Sequence, residues 1–158
     1  MPTNQPVTLT HYKEEHMAGL SAFELPEEQI RYTSIPDQFQ EVTEGQYRIV
    51  ILHGEEPVGF FVLHKTYRVK AYSDNPQAML LTALSINRIH QGNGYAKEAM
   101  VLLKAFMNIE FPYCNEVVLA VNLKNTSARQ LYEKAGFHDA GRRKMGPSGE
   151  QAVMGLRL

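Results

Sequence analysis

Apolar positions along the chain change period several times, and each change marks an element. Val7–Thr10 alternates and predicts a first strand, followed by one or two short helical pieces between about Lys13 and Ile30. Tyr47–His53 and Val58–His64 are β-branched and aromatic runs around the turn Gly54-Glu55-Glu56-Pro57, which predicts an antiparallel hairpin. After a loop rich in Tyr, Ser, Asp, Asn and Pro (Tyr72 to Gln77), Met79 to Ile86 is short and nearly all apolar, as a strand buried on both faces should be. From Lys97 to about Glu110 the period lengthens: Ala99, Leu102, Leu103, Phe106 and Met107 fall on one helical face. A second strand–helix unit follows, Glu116–Asn122 and then about Thr126 to Ala135, with Ala128, Leu131, Tyr132 and Ala135 on one face and Gly136 as the stop signal. The tail contains a polar turn, Gly146-Pro147-Ser148-Gly149, flanked by runs able to pair as a last hairpin. A hairpin followed by two β–α units implies a mixed sheet with helices on its faces, an α/β or α+β fold.

Composition narrows the class without changing that picture. The 158 residues, 44% apolar and 21% charged, are ordinary for one well-packed domain, so a single domain over 1–158 is expected. Cys114 is the only cysteine, which excludes an intramolecular disulfide, and the opening Met-Pro-Thr-Asn-Gln-Pro lacks the basic and apolar regions of a leader. A cytoplasmic location follows as the expectation. No run approaches the roughly 18 apolar residues of a membrane span, and a net charge of −1 offers no general attraction to nucleic acid. Neither partner is expected. The charge is uneven, however: residues 1–45 carry eight acids against Lys13 and Arg31, a net −6, which leaves +5 for the remainder. An acidic N-terminal part suits a cationic amine and a basic remainder suits a polyanion, although solvated helix faces produce the same pattern.

The chemistry-bearing stretch is Gln91-Gly92-Asn93-Gly94-Tyr95-Ala96, set between the buried strand and the amphipathic helix. A turn there points free backbone N–H groups outward at the positive end of a helix dipole, a site for a phosphate-bearing ligand. A Walker-type loop is excluded because no Gly-Lys-Ser/Thr follows, and a dinucleotide site is disfavoured because the third glycine is missing and the next strand ends in Asn122 rather than an acid. The six histidines show no metal-ligand spacing, so no metal is expected.

These residues resemble the general N-acetyltransferase (GNAT) superfamily. Its acetyl-CoA signature, Gln/Arg-x-x-Gly-x-Gly/Ala after an apolar strand, is similar to Gln91–Ala96, and its Asn-x-x-Ala-x-x-Leu-Tyr-x-x-x-Gly-Phe helix resembles Asn125–Phe137. The likeness covers about residues 46 to 140. It implies a mixed, mostly antiparallel central sheet flanked by helices, with the fourth and fifth strands splayed for acetyl-CoA, and direct transfer of an acetyl group to a primary amine of a small molecule or peptide. It places the pyrophosphate on the amides of about Gly92 to Lys97 and the pantetheine arm along Leu84-Ser85-Ile86. The tetrahedral oxyanion would sit on a backbone N–H near Leu84 or Ser85.

Several positions keep two readings. Lys97 contacts a phosphate or lies solvated; Asn125 bonds the pantetheine or caps the helix from Thr126. Tyr132 is a core tyrosine or, as the resemblance implies, the acid that protonates the leaving thiolate. The family often carries a carboxylate base on the strand before the glycine turn, and Met79–Ile86 has none. Thr82 or Ser85 holding a water, or one of Glu24, Glu27 and Glu28, are the candidates. A non-catalytic acyl-CoA-binding module and a phosphometabolite-binding protein are the rival readings, and dimerisation through a sheet edge or the last hairpin is common in the family.

Overall fold

The computed structural model describes residues 6–21 and 44–158. The far end of the helical stretch expected up to Ile30, with Glu24, Glu27 and Glu28, lies outside them. The elements are β1 (Val7–His11), a 3₁₀ turn (Glu14–His16) running into α1 (Met17–Ser21), β2 (Gln46–His53), β3 (Glu56–His64), a second 3₁₀ turn (Tyr67–Ala71), β4 (Ala78–Ile86), a third 3₁₀ turn (Arg88–His90), α2 (Tyr95–Glu110), β5 (Glu116–Asn122), α3 (Thr126–Lys134), β6 (His138–Gly146) and β7 (Gly149–Arg157). The strands form one seven-stranded sheet in the order β1-β2-β3-β4-β5-β7-β6. Among the described residues only β4 and β5 run parallel, so the expected mixed, mostly antiparallel sheet is present.

Strand alternation divides the core. Ile49, Phe61, Leu63, Met79, Leu81, Val117 and Leu119 pack on the face covered by α2 and α3, together with Leu103 and Met107 of α2 and Tyr132 of α3. Their neighbours point the other way: Val50, Phe60 and Val62 meet Leu20 of α1, while Leu80 and Val118 meet Val69 of the second 3₁₀ turn.

Three local expectations are corrected. The first hairpin turns on Gly54 (φ +64°) and Glu55 alone, and β3 already begins at Glu56. Pro57 therefore lies inside the strand, beside a register shift at Ile51/Leu52 where a ladder donor is dispensable. The buried face of α2 consists of Ala99, Met100, Leu103 and Met107, while Leu102 is 37% exposed. Val101 and Leu102 are apolar on the outside, so the sequence pattern was broad enough to accept either rotation. Finally, β4 is not a regular strand. Phe60 faces Ser85 and Val62 faces Thr82, so Ala83 and Leu84 together oppose Phe61 in a bulge, and Ala83 takes φ +62°.

Candidate active site

The parallel β4–β5 ladder consists of Ala78–Glu116, Met79–Val117 and Leu80–Val118. Both strands then continue, β4 to Ile86 and β5 to Asn122, without further registered pairs between them. Two causes combine. The bulge at Ala83–Leu84 bends β4, and β5 stays paired along its whole length to β7 on its other side. The strands splay, as the resemblance implied, and a cleft of about 1040 Å³ opens between them.

One end of the cleft is the glycine turn. Gly92 (φ +84°) and Gly94 (φ +79°) both adopt left-handed backbone, and Gly94 is the N-cap of α2. A Cβ on either would meet no protein atom within 4 Å, so the conformation demands glycine and the space beside it stays open. Side chains of the turn are spent on shaping it. Gln91 Nε2 donates to the Ile86 carbonyl at 2.9 Å, Asn93 Nδ2 donates to the His90 carbonyl at 3.0 Å, and the Tyr95 hydroxyl meets His53 Nδ1 at 3.2 Å with the two rings 4.8 Å apart. The amides at the start of a 16-residue helix lie beside the turn, and a helix start of this kind favours negative charge. The exposed Lys97 and Lys124 also line the cleft.

The second signature builds the opposite wall. Asn125 Oδ1 accepts the Ala128 N–H at 3.3 Å, so the capping role of Asn125 is realised. At the other end of α3 the Phe137 N–H donates to the Tyr132 carbonyl and the Gly136 N–H to that of Glu133, with Gly136 at φ +104°. That pair of bonds is a Schellman motif, and its usual apolar contact is the edge-on packing of Phe137 against Tyr132, ring centres 5.5 Å apart. The Gly-Phe of the signature thus holds the tyrosine in place. Tyr132 is 8% exposed, lines the cleft, and burial pushes its phenol well above the ordinary range, so it keeps its proton.

The structure brings Leu84, Ser85, Ile86, Gln91, Gly92, Gly94, Tyr95, Ala96, Lys97, Asn125 and Tyr132 to the cleft. Asn93 is the exception: it belongs to the turn but not to the cleft wall. Ser85 turns its hydroxyl back to the Ala83 carbonyl at 3.1 Å, across the bulge, which makes it a strut of the strand. Two features escaped the sequence reading. The bulge carries alanine rather than glycine at its left-handed position, so nothing in Leu-Thr-Ala-Leu-Ser announces it. Asn122, taken only as a strand end, donates from Nδ2 to the Ser148 carbonyl at 3.0 Å and accepts the Lys124 N–H at 2.8 Å, tying the last hairpin to the cleft rim.

Comparison with known proteins agrees with this geometry. Residues 11–137 match the model of the Acetyltransferase (GNAT) family. The chain is 46% identical over 154 residues to the uncharacterized N-acetyltransferase YbbJ of Bacillus subtilis (strain 168), covering 95% of this chain and 96% of that protein. Among solved structures, an uncharacterized protein from Bacillus halodurans superposes with a TM-score of 0.78 at 16% identity, covering 99% of this chain and 86% of the other. Aminoglycoside acetyltransferase AAC(6')-Ib in complex with paromomycin and acetyl-CoA superposes with a TM-score of 0.72 at 17% identity, covering 96% and 93%. The family match spans the splayed strands, the glycine turn and the Asn125–Phe137 helix, and the chain belongs to the GNAT family of acetyltransferases.

Proposed function

We propose that the protein is an acetyl-CoA-dependent N-acetyltransferase that passes the acetyl group directly to a primary amine of a small molecule or peptide. One observation carries this reading: the β4–β5 ladder stops at Leu80–Val118 while both strands run on, leaving a cleft with glycine amides at one end and a protonated tyrosine in its wall. The residues suit the cosubstrate. The Gly92–Lys97 amides, with no side chain in front of either glycine, take the pyrophosphate. The β4 edge at Leu84-Ser85-Ile86 and Asn125 flank the pantetheine. Acetyl-CoA supplies an acyl group activated as a thioester.

The remaining steps belong to the chain's own groups. The bulge takes Ala83–Leu84 out of the ladder register, and a backbone N–H at Leu84 or Ser85 would hold the oxyanion. Tyr132, held by Phe137 and kept protonated by burial, donates its proton to the departing sulfur. Buried Cys114, whose thiol is pushed up by burial, lies outside the cleft wall and takes no part. The acceptor reading rests on the acids of the N-terminal part, which favour a cation. AAC(6')-Ib, an aminoglycoside acetyltransferase whose fold this chain shares, was solved with paromomycin and acetyl-CoA, in keeping with an amine of that kind.

Calorimetric titration with acetyl-CoA, with ATP and NAD as controls, tests the first half, and thiol release across a panel of amines tests the second. Micromolar acetyl-CoA binding with silent controls, followed by turnover of at least one amine, is the expected result. Binding without turnover of any amine would leave an acyl-CoA-binding module, and absence of binding would remove the cofactor assignment.

A further inference from the structure

His64, at the end of β3, has no solvent exposure. It sits on the face of the sheet turned away from α2, between the apolar patch around Val62 and the patch around Leu80. Its Nε2 lies 2.7 Å from the Thr82 hydroxyl oxygen, and its Nδ1 lies 3.4 Å from Gln46 Nε2. A buried imidazole in an otherwise apolar layer needs a reason, since burial of a polar ring costs unless both nitrogens are partnered. Thr82 supplies it: this residue lines the cleft one position before the bulge, on a strand that lacks any carboxylate.

We propose that Thr82 and His64 form the exit path for the proton of the acceptor amine, with Thr82 touching the amine and His64 acting as the positioning and receiving group behind it. The inference rests on direct transfer to an amine, as read above. The amine nitrogen forms a bond to the acyl carbon while the carbonyl π pair moves onto oxygen. The nitrogen's proton passes to Thr82 Oγ1, whose own proton passes to His64 Nε2. The oxygen pair then returns, the C–S bond breaks with its pair on sulfur, and sulfur takes the Tyr132 proton. His64 has gained one proton and Tyr132 has lost one, and solvent restores both between turnovers. The path requires the Nδ1–H tautomer, with the Gln46 amide oxygen turned to accept that hydrogen.

The neighbourhood keeps the imidazole neutral before the reaction. From the second 3₁₀ turn it faces Arg68; from β2 it faces Gln46, with Arg48 two register pairs on and stacked over Tyr12; from β4 it faces Thr82. Desolvation first, and Arg68 second, bring its pKa down to about 4. The oxyanion that forms in the same step, on the neighbouring strand β4, supplies the counter-charge that favours the imidazolium just as the proton arrives.

The test joins kinetics to a spectroscopic readout. His64→Gln keeps an N–H for Thr82 but cannot take its proton, and Thr82→Val removes the hydroxyl at equal volume. With whichever of paromomycin, spermidine or a dipeptide turns over fastest, each variant should lose about 10²-fold in kcat near neutral pH at unchanged acetyl-CoA affinity. The deficit should persist at alkaline pH, because the proton leaves nitrogen only after nitrogen has bonded to carbon, and Thr82→Ser should restore most of the rate. Nitrogen NMR of the imidazole in the wild-type protein, alone and with acetyl-CoA, should report an unprotonated Nε2. Wild-type turnover in His64→Gln, or a protonated Nε2 in both states, would overturn the relay while leaving the acetyltransferase reading intact. Failure of the wild-type protein to acetylate any amine would overturn that reading, and the relay with it.

Discussion

The two ends of the cleft are built on different principles. At the glycine turn the functional surface is backbone: two left-handed glycines, the first amides of α2, and side chains such as Gln91 and Asn93 that only shape the loop. At the other end it is side chain: Tyr132 wedged against Phe137, and Thr82 bonded to a buried imidazole from the neighbouring strand. The backbone end should govern affinity for the cosubstrate. The side-chain end should govern turnover and carry the protein's acid sensitivity, because its titratable groups are the buried ones.

The largest expected effect concerns that acid sensitivity. Unfolded His64 takes up a proton below about pH 6.5, whereas the folded one does so only below about 4. Between those values the unfolded state binds more protons, so the stability contributed by the neutral imidazole is complete above about pH 6.5 and lost as pH falls toward about 4. Two and a half pKa units correspond to about 3 kcal/mol. Denaturant titrations across this window should show the slope, and His64→Gln should flatten it. A wild-type stability independent of pH there would mean that the reaction end is no more acid-sensitive than the glycine end.

Gly94→Val attacks the backbone end. A β-branched residue at φ +79° costs about 1–3 kcal/mol, and its side chain enters the anion cradle, so acetyl-CoA affinity should fall by about 10²-fold with turnover of the bound complex little changed. Equal loss of affinity and turnover would blur the division between the two ends. Tyr132→Phe sharpens it from the other side: the ring still packs on Phe137, so calorimetric affinity should hold while turnover drops at least about tenfold. Unaltered turnover would remove Tyr132 from the chemistry.

The smallest effect belongs to Gln91→Ala. Loss of the bond to the Ile86 carbonyl should cost about 1 kcal/mol, read as a small fall in thermal midpoint and a slight weakening of acetyl-CoA binding. A strong loss of affinity would instead make Gln91 a direct ligand of the cosubstrate.

The strand and helix order was readable from the sequence because each element has its own apolar period, and the two ends of the glycine turn carry that change of period within a few residues. The last hairpin, turning on Pro147 and Ser148, lies where its Gly-Pro-Ser-Gly predicts. Errors arose where the local signal pointed two ways: Pro57 looked like a turn residue until β2 shifted register around it, and α2 had apolar residues on more than one flank. The bulge at Ala83 had no signal at all, since alanine is an uncommon choice for a left-handed residue.

Sequence by itself determined whatever is coded in neighbouring residues: the glycine turn before α2, the cap and Schellman ends of α3, and hence the seat of Tyr132. Those devices are closed by hydrogen bonds spanning five residues or fewer, so the local string contains all their parts. Tertiary structure alone decided the opening of the cleft and the meeting of His64 with Thr82. Both depend on register between strands, where a single extra residue in β4 relative to β3 redirects everything beyond it, and a one-residue slip would send these side chains to opposite faces.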